Sequence, residues 1–232
     1  VWVAALPGAI GRMAAFGTGP LLLATAGIVL LGLLRTPLRW AGAGALTAAT
    51  VWALLVPQPD LLVSGDGHNV AVRGREGRLH LMRASKDSFL VREWLAGDAD
   101  SRDAAHPALS EGVSCDADGC VVEMADGRLA ALVLQPEALA DDCARTAVLV
   151  TSRQAPADCA ALVIDQERLR RQGTLALYRT GRAFEITAIR PEGVNRPWSP
   201  AVGVASSTAA VRAPRTPSVD ATPSEADRQA ED

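Results

Sequence analysis

The sequence predicts a transmembrane helical hairpin followed by an α+β domain, and three observations predict it. No acidic residue precedes Asp60. Two long uncharged apolar runs in that stretch flank the basic turn Arg35-Thr-Pro-Leu-Arg-Trp40. Beyond Asp60 the apolar runs shorten and alternate with Gly- and Asp-rich separators.

The first run, from Leu21 to Leu34, extends back toward Gly17 and approaches the roughly 20 residues that a spanning helix needs. The second runs from Ala41 to Val56. Hydrocarbon offers no partner for backbone polar groups, so two such runs joined by a few residues read as paired helices over residues 18–57, after a membrane-interface segment at 1–17. Arg35 and Arg39 in the short turn mark its cytoplasmic side, which sends everything after Pro57 outward. Gly42, Ala43, Gly44 and Ala45 suit close helix contact. The alternative is a buried hairpin of a soluble protein. A chain starting at Val1, in sequence with structured features of its own, reads as the C-terminal piece of a longer membrane protein.

The outer domain is expected over residues 60–200. Its strands fall at 60–64, 69–73, 78–82, 120–124, 129–134, 147–151, 160–164, 174–178 and 184–189, where apolar and β-branched residues sit between turn signals. Gly65-Asp-Gly67, Gly74-Arg-Glu-Gly77 and Ala125-Asp-Gly127 tolerate the positive φ that tight hairpins require. Helical periodicity appears at 86–95, 136–145 and 166–172. From 201 to 232 the composition turns to Ala, Ser, Thr, Pro and charge, which predicts a disordered tail.

Charge and cysteine content narrow the function. Arg12, Arg35 and Arg39 supply +3 of a net charge of −3, so the remainder carries −6 and is no strongly basic nucleic-acid module. Polyanion contact needs a local patch, and the candidates are Arg73, Arg75 and Arg78 on the first hairpin and Arg168, Arg170 and Arg171 on the last helix. Four cysteines allow three pairings. The turn Asp-Ala-Asp-Gly favours Cys115 with Cys120, leaving Cys143 with Cys159, and oxidised pairs fit an outward-facing domain. The spacing from Cys143 to Cys159 is too wide for a structural zinc site, so no metal or cofactor is expected. His68, His80 and His106 are isolated from one another; His68 in a Gly-rich turn and His106 before Pro107 are expected to be solvated, and His80 to lie on the exposed face of its strand. Ser64-Gly-Asp-Gly-His68 holds a serine, an aspartate and a histidine, but in a hairpin turn that lacks the geometry of a hydrolase. Asp98, Asp100 and Asp103 read as a solvated acidic loop.

A series of landmarks then falls in a fixed order. They are the hairpin with Pro59-Asp-Leu-Leu-Val-Ser-Gly-Asp-Gly-His-Asn-Val-Ala-Val-Arg73, Asp87-Ser-Phe89 with Trp94-Leu95, Cys115-Asp-Ala-Asp-Gly-Cys120, Asp141-Asp-Cys143, Cys159-Ala-Ala-Leu-Val-Ile-Asp165 and Arg196-Pro-Trp198. Across about Leu6 to Pro200 this order resembles the C-terminal portion of ComEC-family competence proteins. The resemblance implies a multi-pass inner-membrane channel for single-stranded DNA in natural transformation, other competence proteins as partners, and a periplasmic C-terminal domain that is an αββα sandwich of metallo-β-lactamase-like fold. Its hydrolytic members gather two metal ions on a His-x-His-x-Asp-His loop. The matching stretch, residues 83–105, holds Asp87, Glu93, Asp98, Asp100 and Asp103 but no histidine, so the domain is expected to be degenerate and non-catalytic. The competing expectations are an active periplasmic nuclease and a structural or partner-binding envelope module unrelated to DNA.

Overall fold

The computed structural model describes residues 14–83, 88–191 and 194. The expected tail at 201–232, the segment before residue 14, Lys86, Asp87 and Arg196-Pro-Trp198 lie outside them.

Helix α1 spans Thr18–Leu33 and α2 spans Arg39–Leu55. At 1.5 Å per residue these are about 24 and 26 Å long, short of a hydrocarbon core of roughly 30 Å. No helix among the described residues is long and apolar enough to cross a membrane. The expected fold class, a transmembrane hairpin followed by a degenerate metallo-β-lactamase-like sandwich, is therefore corrected to an α+β fold with two sheets and five α-helices among the described residues. The expected multi-pass inner-membrane placement with a periplasmic C-terminal domain falls with the hairpin's span. The reason is local. Gly17 and Pro37 bound the first apolar run, Arg39 opens the second helix, and Pro57 and Pro59 follow its end, so the helices stop before the composition does.

The two helices meet through glycine. A Cβ on Gly42 would lie 2.6 Å from the Gly27 carbonyl oxygen and 2.9 Å from the Leu31 side chain, and one on Gly27 would lie 2.9 Å from the Gly42 carbonyl oxygen. The backbones thus approach as closely as small residues permit.

Ten strands follow among the described residues. The first sheet has the order β10-β9-β1-β2-β3 and is antiparallel throughout. It is built from β1 (Leu61–Val63), β2 (Val70–Arg73), β3 (Leu79–Leu81), β9 (Leu175–Thr180) and β10 (Ala183–Ala188). The second runs β4-β5-β6-β7-β8, from β4 (Val113–Cys115), β5 (Gly119–Glu123), β6 (Leu129–Val133), β7 (Val148–Thr151) and β8 (Leu162–Ile164). Its first three strands are antiparallel and its last three parallel. The parallel step from β6 to β7 needs a crossover, which α4 (Leu139–Arg145) supplies. Strand β4 is not among the expected strands, because Val113-Ser-Cys115 is only three residues long and mostly exposed.

Side chains of period two divide each strand between faces. Leu61, Val63, Val70, Val72, Leu175 and Leu177 of the first sheet meet Cys120, Val122, Leu132, Val148, Val150 and Ile164 of the second in a common core. Helix α3 (Ser88–Gly97) covers the outer face of the first sheet through Val91 and Leu95 on Ala71, Leu79 and Leu81. Helix α4 does the same for the second through Leu139 and Cys143 on Ala131, Val133 and Leu149. Helix α5 (Gln166–Gln172) is capped by Asp165, which accepts from the Arg168 N–H at 2.9 Å, and it sends Leu169 into the central core.

Helix α3 ends in a Schellman arrangement, with the Asp100 N–H donating to the Leu95 carbonyl and the Ala99 N–H to the Ala96 carbonyl. The left-handed position is filled by Ala99, φ 57°, where glycine is usual. Ala99→Gly is expected to raise the stability of the domain by up to about 1 kcal/mol, the order of an L-residue's penalty in that conformation. Gly42→Ala is expected to lower that of the hairpin by about 1–3 kcal/mol through overpacking. Thermal unfolding of the two variants, with far-UV circular dichroism as the signal, checks both signs.

Candidate functional site at the hairpin base

Helix α3 covers only the β1–β3 half of the first sheet, so the outward residues of β9 stand free beside it. Leu175 and Leu177 point into the core, which turns Ala176 and Tyr178 outward. A cavity of about 390 Å³ follows, bounded by Trp94 of α3, Ala176 and Tyr178 of β9, and the exit of the hairpin at Pro57-Gln-Pro59. Among the described residues neither the Trp94 indole N–H nor the Tyr178 hydroxyl has a hydrogen-bond partner. Gln58 closes the hairpin side by donating to the Ala15 carbonyl at 3.2 Å, and the Ala15 N–H donates to the Gly97 carbonyl at 2.8 Å. A second, mainly apolar cavity of about 460 Å³ lies between α1 and α2, lined by Pro20, Ala24, Leu46, Ala49 and Ala53, with Ala99 at its edge.

Charged groups fix this end of the domain. Arg73 donates to both carboxylate oxygens of Asp98, at 3.1 and 2.5 Å, to the Pro59 carbonyl at 3.0 Å and to the Gly77 carbonyl at 2.6 Å. Its side chain is 12% exposed and that of Asp98 9%. Arg102 holds Asp100 at 2.8 Å and also donates to the Leu79 and Ala108 carbonyls. Of the expected solvated acidic loop, Asp98 and Asp100 are instead held in enclosed ion pairs, and Asp103 is exposed. Burial pushes the Asp100 carboxyl up, but the hydrogen bonds and charge of Arg102 outweigh it and hold the group below the ordinary carboxylate range. Across the sheets, Asp126 accepts from Arg128 at 2.7 Å and faces Arg179 at 3.5 Å, while Asp60 accepts from the Arg179 N–H at 2.8 Å. The Arg128 guanidinium lies 4.9 Å from the Phe184 ring centre.

The arginines singled out for DNA contact do not form one patch. Arg73 is committed as described, Arg75 pairs with Glu123, and Arg78 is exposed. Arg168 donates to the Val163 carbonyl at 2.9 Å, and Arg170 and Arg171 share Glu167. Leu169 touches Gly67 in the β1–β2 turn, whereas Arg73, Arg75 and Arg78 flank the β2–β3 turn, so strand β2 separates the two triads.

The remaining sequence candidates are dispersed. Ser64 donates its hydroxyl to Asp66 and His68 Nδ1 lies 2.9 Å from the Asp66 carbonyl oxygen, so the serine is joined to the aspartate and not to the histidine, the reverse of a triad. His106 Nδ1 accepts from the Ala108 N–H and caps a short 3₁₀ turn. His80 was expected on the exposed face of its strand. Leu79 and Leu81 take that outer side beneath α3, so His80 turns inward with Nδ1 buried and unpartnered among the described residues. Cys115 is bonded to Cys120 across the β4–β5 hairpin, and Cys143 to Cys159, which pins α4 to the loop before β8. Beside them, Asp116, Asp118, Glu137, Asp141 and Asp142 line a recess of about 380 Å³ with Arg145 as its one cation among the described residues.

Compared with known proteins, the chain matches no family profile, no curated protein and no solved structure.

Burial raises the Asp142 carboxyl above its ordinary value, and Asp116 and Asp141 add to the effect against the opposing charge of Arg145. A raised carboxyl binds its proton more tightly in the folded state, so the native state loses stability as pH rises from the unfolded value through the folded one. Asp142→Asn is therefore expected to raise the unfolding midpoint at pH 7 and leave it unchanged near pH 3, as read from thermal melts at the two pH values.

Proposed function

We propose that this chain is a non-catalytic assembly element of a DNA-uptake apparatus of the kind its sequence resembles, with the α1–α2 hairpin buried against further apolar helices. One observation carries the reading: the hairpin is apolar on every side. Leu22, Leu33 and Leu54 are 69, 75 and 81% exposed, and Ile28, Trp52 and Leu55 stand out beside them. A helix apolar all round is covered either by hydrocarbon or by protein, and helices this short leave protein. The two-sheet domain is then a rigid body carried on that anchor, braced by two disulfides and by the ion pairs at its base.

Single-stranded DNA as the cargo rests on the sequence resemblance. Any contact draws on the exposed Arg75, Arg78, Arg170 and Arg171, since Arg73 is spent on Asp98, Arg168 on the Val163 carbonyl, and the recess near α4 repels phosphate. The non-catalytic reading is supported by the separation of the three histidines into a turn, an inner strand face and a 3₁₀ cap.

Replacing Leu22, Leu33 and Leu54 together by Asn tests the proposal. The wild-type chain is expected to sediment as part of a larger complex, and the variant at monomer mass with an unchanged unfolding midpoint for the two-sheet domain and at least a tenfold fall in transformation. A wild-type chain that sediments as a monomer, or a triple variant that still assembles, rejects it.

A further inference from the structure

We infer that the cavity between α3, β9 and the hairpin exit is a recognition groove for a basic, proline-containing peptide segment in polyproline II conformation. The inference is independent of what covers the hairpin. At about 390 Å³ the groove falls within the size range of ligand pockets, roughly 300–1,000 Å³, and its walls are apolar: Pro57, Pro59, Leu62 and Ala176.

Three features select the occupant. First, Trp94 and Tyr178 both line the groove, and neither the indole N–H nor the hydroxyl has a partner among the described residues. A polyproline II strand makes no internal hydrogen bonds, so its carbonyl oxygens are free to accept from both while its proline rings lie on the aromatic and proline walls. Second, the groove is flanked by carboxylates. Glu93 lies on the α3 side, and Glu185, register partner of Tyr178 and outward on the same face, lies on the β10 side. Both are exposed and neither has an ion-pair partner among the described residues. They suit an Arg or Lys at each end of the segment. Third, the same carboxylates disfavour the other polymer that stacks on aromatic rings, single-stranded nucleic acid, because they repel its phosphates.

The test uses the full chain and a fluorescein-labelled peptide, Arg-Pro-Leu-Pro-Pro-Leu-Pro-Arg, followed by anisotropy. Saturable binding is expected, with no saturation by the peptide carrying Ala at every Pro. Tyr178→Phe and Trp94→Phe keep the rings and remove the donors, and each is expected to weaken binding about three- to tenfold, the order of one hydrogen bond. Glu93→Gln with Glu185→Gln is expected to weaken it and to flatten its salt dependence. Thermal melts at the wild-type midpoint show that each variant is folded, and a variant that melts early is replaced by Tyr178→Trp, which keeps a ring and a donor and is expected to bind. No saturation by the proline peptide up to about 1 mM, equal binding of the alanine peptide, indifference to the loss of both donors, or displacement of the peptide by an oligothymidylate would each overturn the assignment.

Discussion

The connection between the helical hairpin and the two-sheet domain depends on one guanidinium. Arg73 closes β2 and reaches the Pro59 carbonyl at the hairpin exit, the Gly77 carbonyl in the β2–β3 turn and the Asp98 carboxylate just past α3. Three segments distant in sequence are thereby held at one point. The consequences spread outward from it: the end of α3 is fixed, Gly97 presents its carbonyl to Ala15, and the wall of the groove beside Trp94 is set. A pair this enclosed contributes little if both members are replaced by apolar groups, yet loss of one leaves an uncompensated buried charge.

That commitment changes how the charge of the domain reads. In the sequence, Arg73, Arg75 and Arg78 form a cationic triplet on a tight turn. In three dimensions the first is locked inside, the second faces Glu123, and the third is exposed with its charge acting on Asp100. The acidic residues redistribute in the same way. Asp98, Asp100 and Asp60 hold arginines on the side of the first sheet, Asp126 reaches Arg179 from the second, and Asp116, Asp118, Asp141 and Asp142 gather in a recess of their own. Among the described residues the charge of the domain thus divides into a neutralised base and an acidic flank.

Much of the strand content was legible because alternation and turn chemistry are local. Leu61-Leu-Val63 and Val70-Ala-Val72 are short apolar runs set off by Gly65-Asp-Gly67, and Asp-Ala-Asp-Gly announces the turn that sets Cys115 opposite Cys120. The hairpin reads as spanning from its apolar composition alone, whereas Gly17, Pro37 and Pro57 confine the helices to 16 and 17 residues, below the roughly 20 that a span needs. His80 was misplaced because its neighbours look like an exposed hairpin until α3 covers Leu79 and Leu81. The groove was invisible in the sequence. Trp94 and Tyr178 belong to different segments and meet only because β9 returns to pair with β1, a long-range contact that no local pattern encodes.

A double-mutant cycle on Arg73→Met and Asp98→Leu in the full chain, read by chemical denaturation, tests the lock most directly. The structure predicts that each single change costs about 3–5 kcal/mol and that the double variant recovers at least half of the combined loss. Single losses within about 0.5 kcal/mol that add without coupling would place Arg73 at the surface and contradict the account.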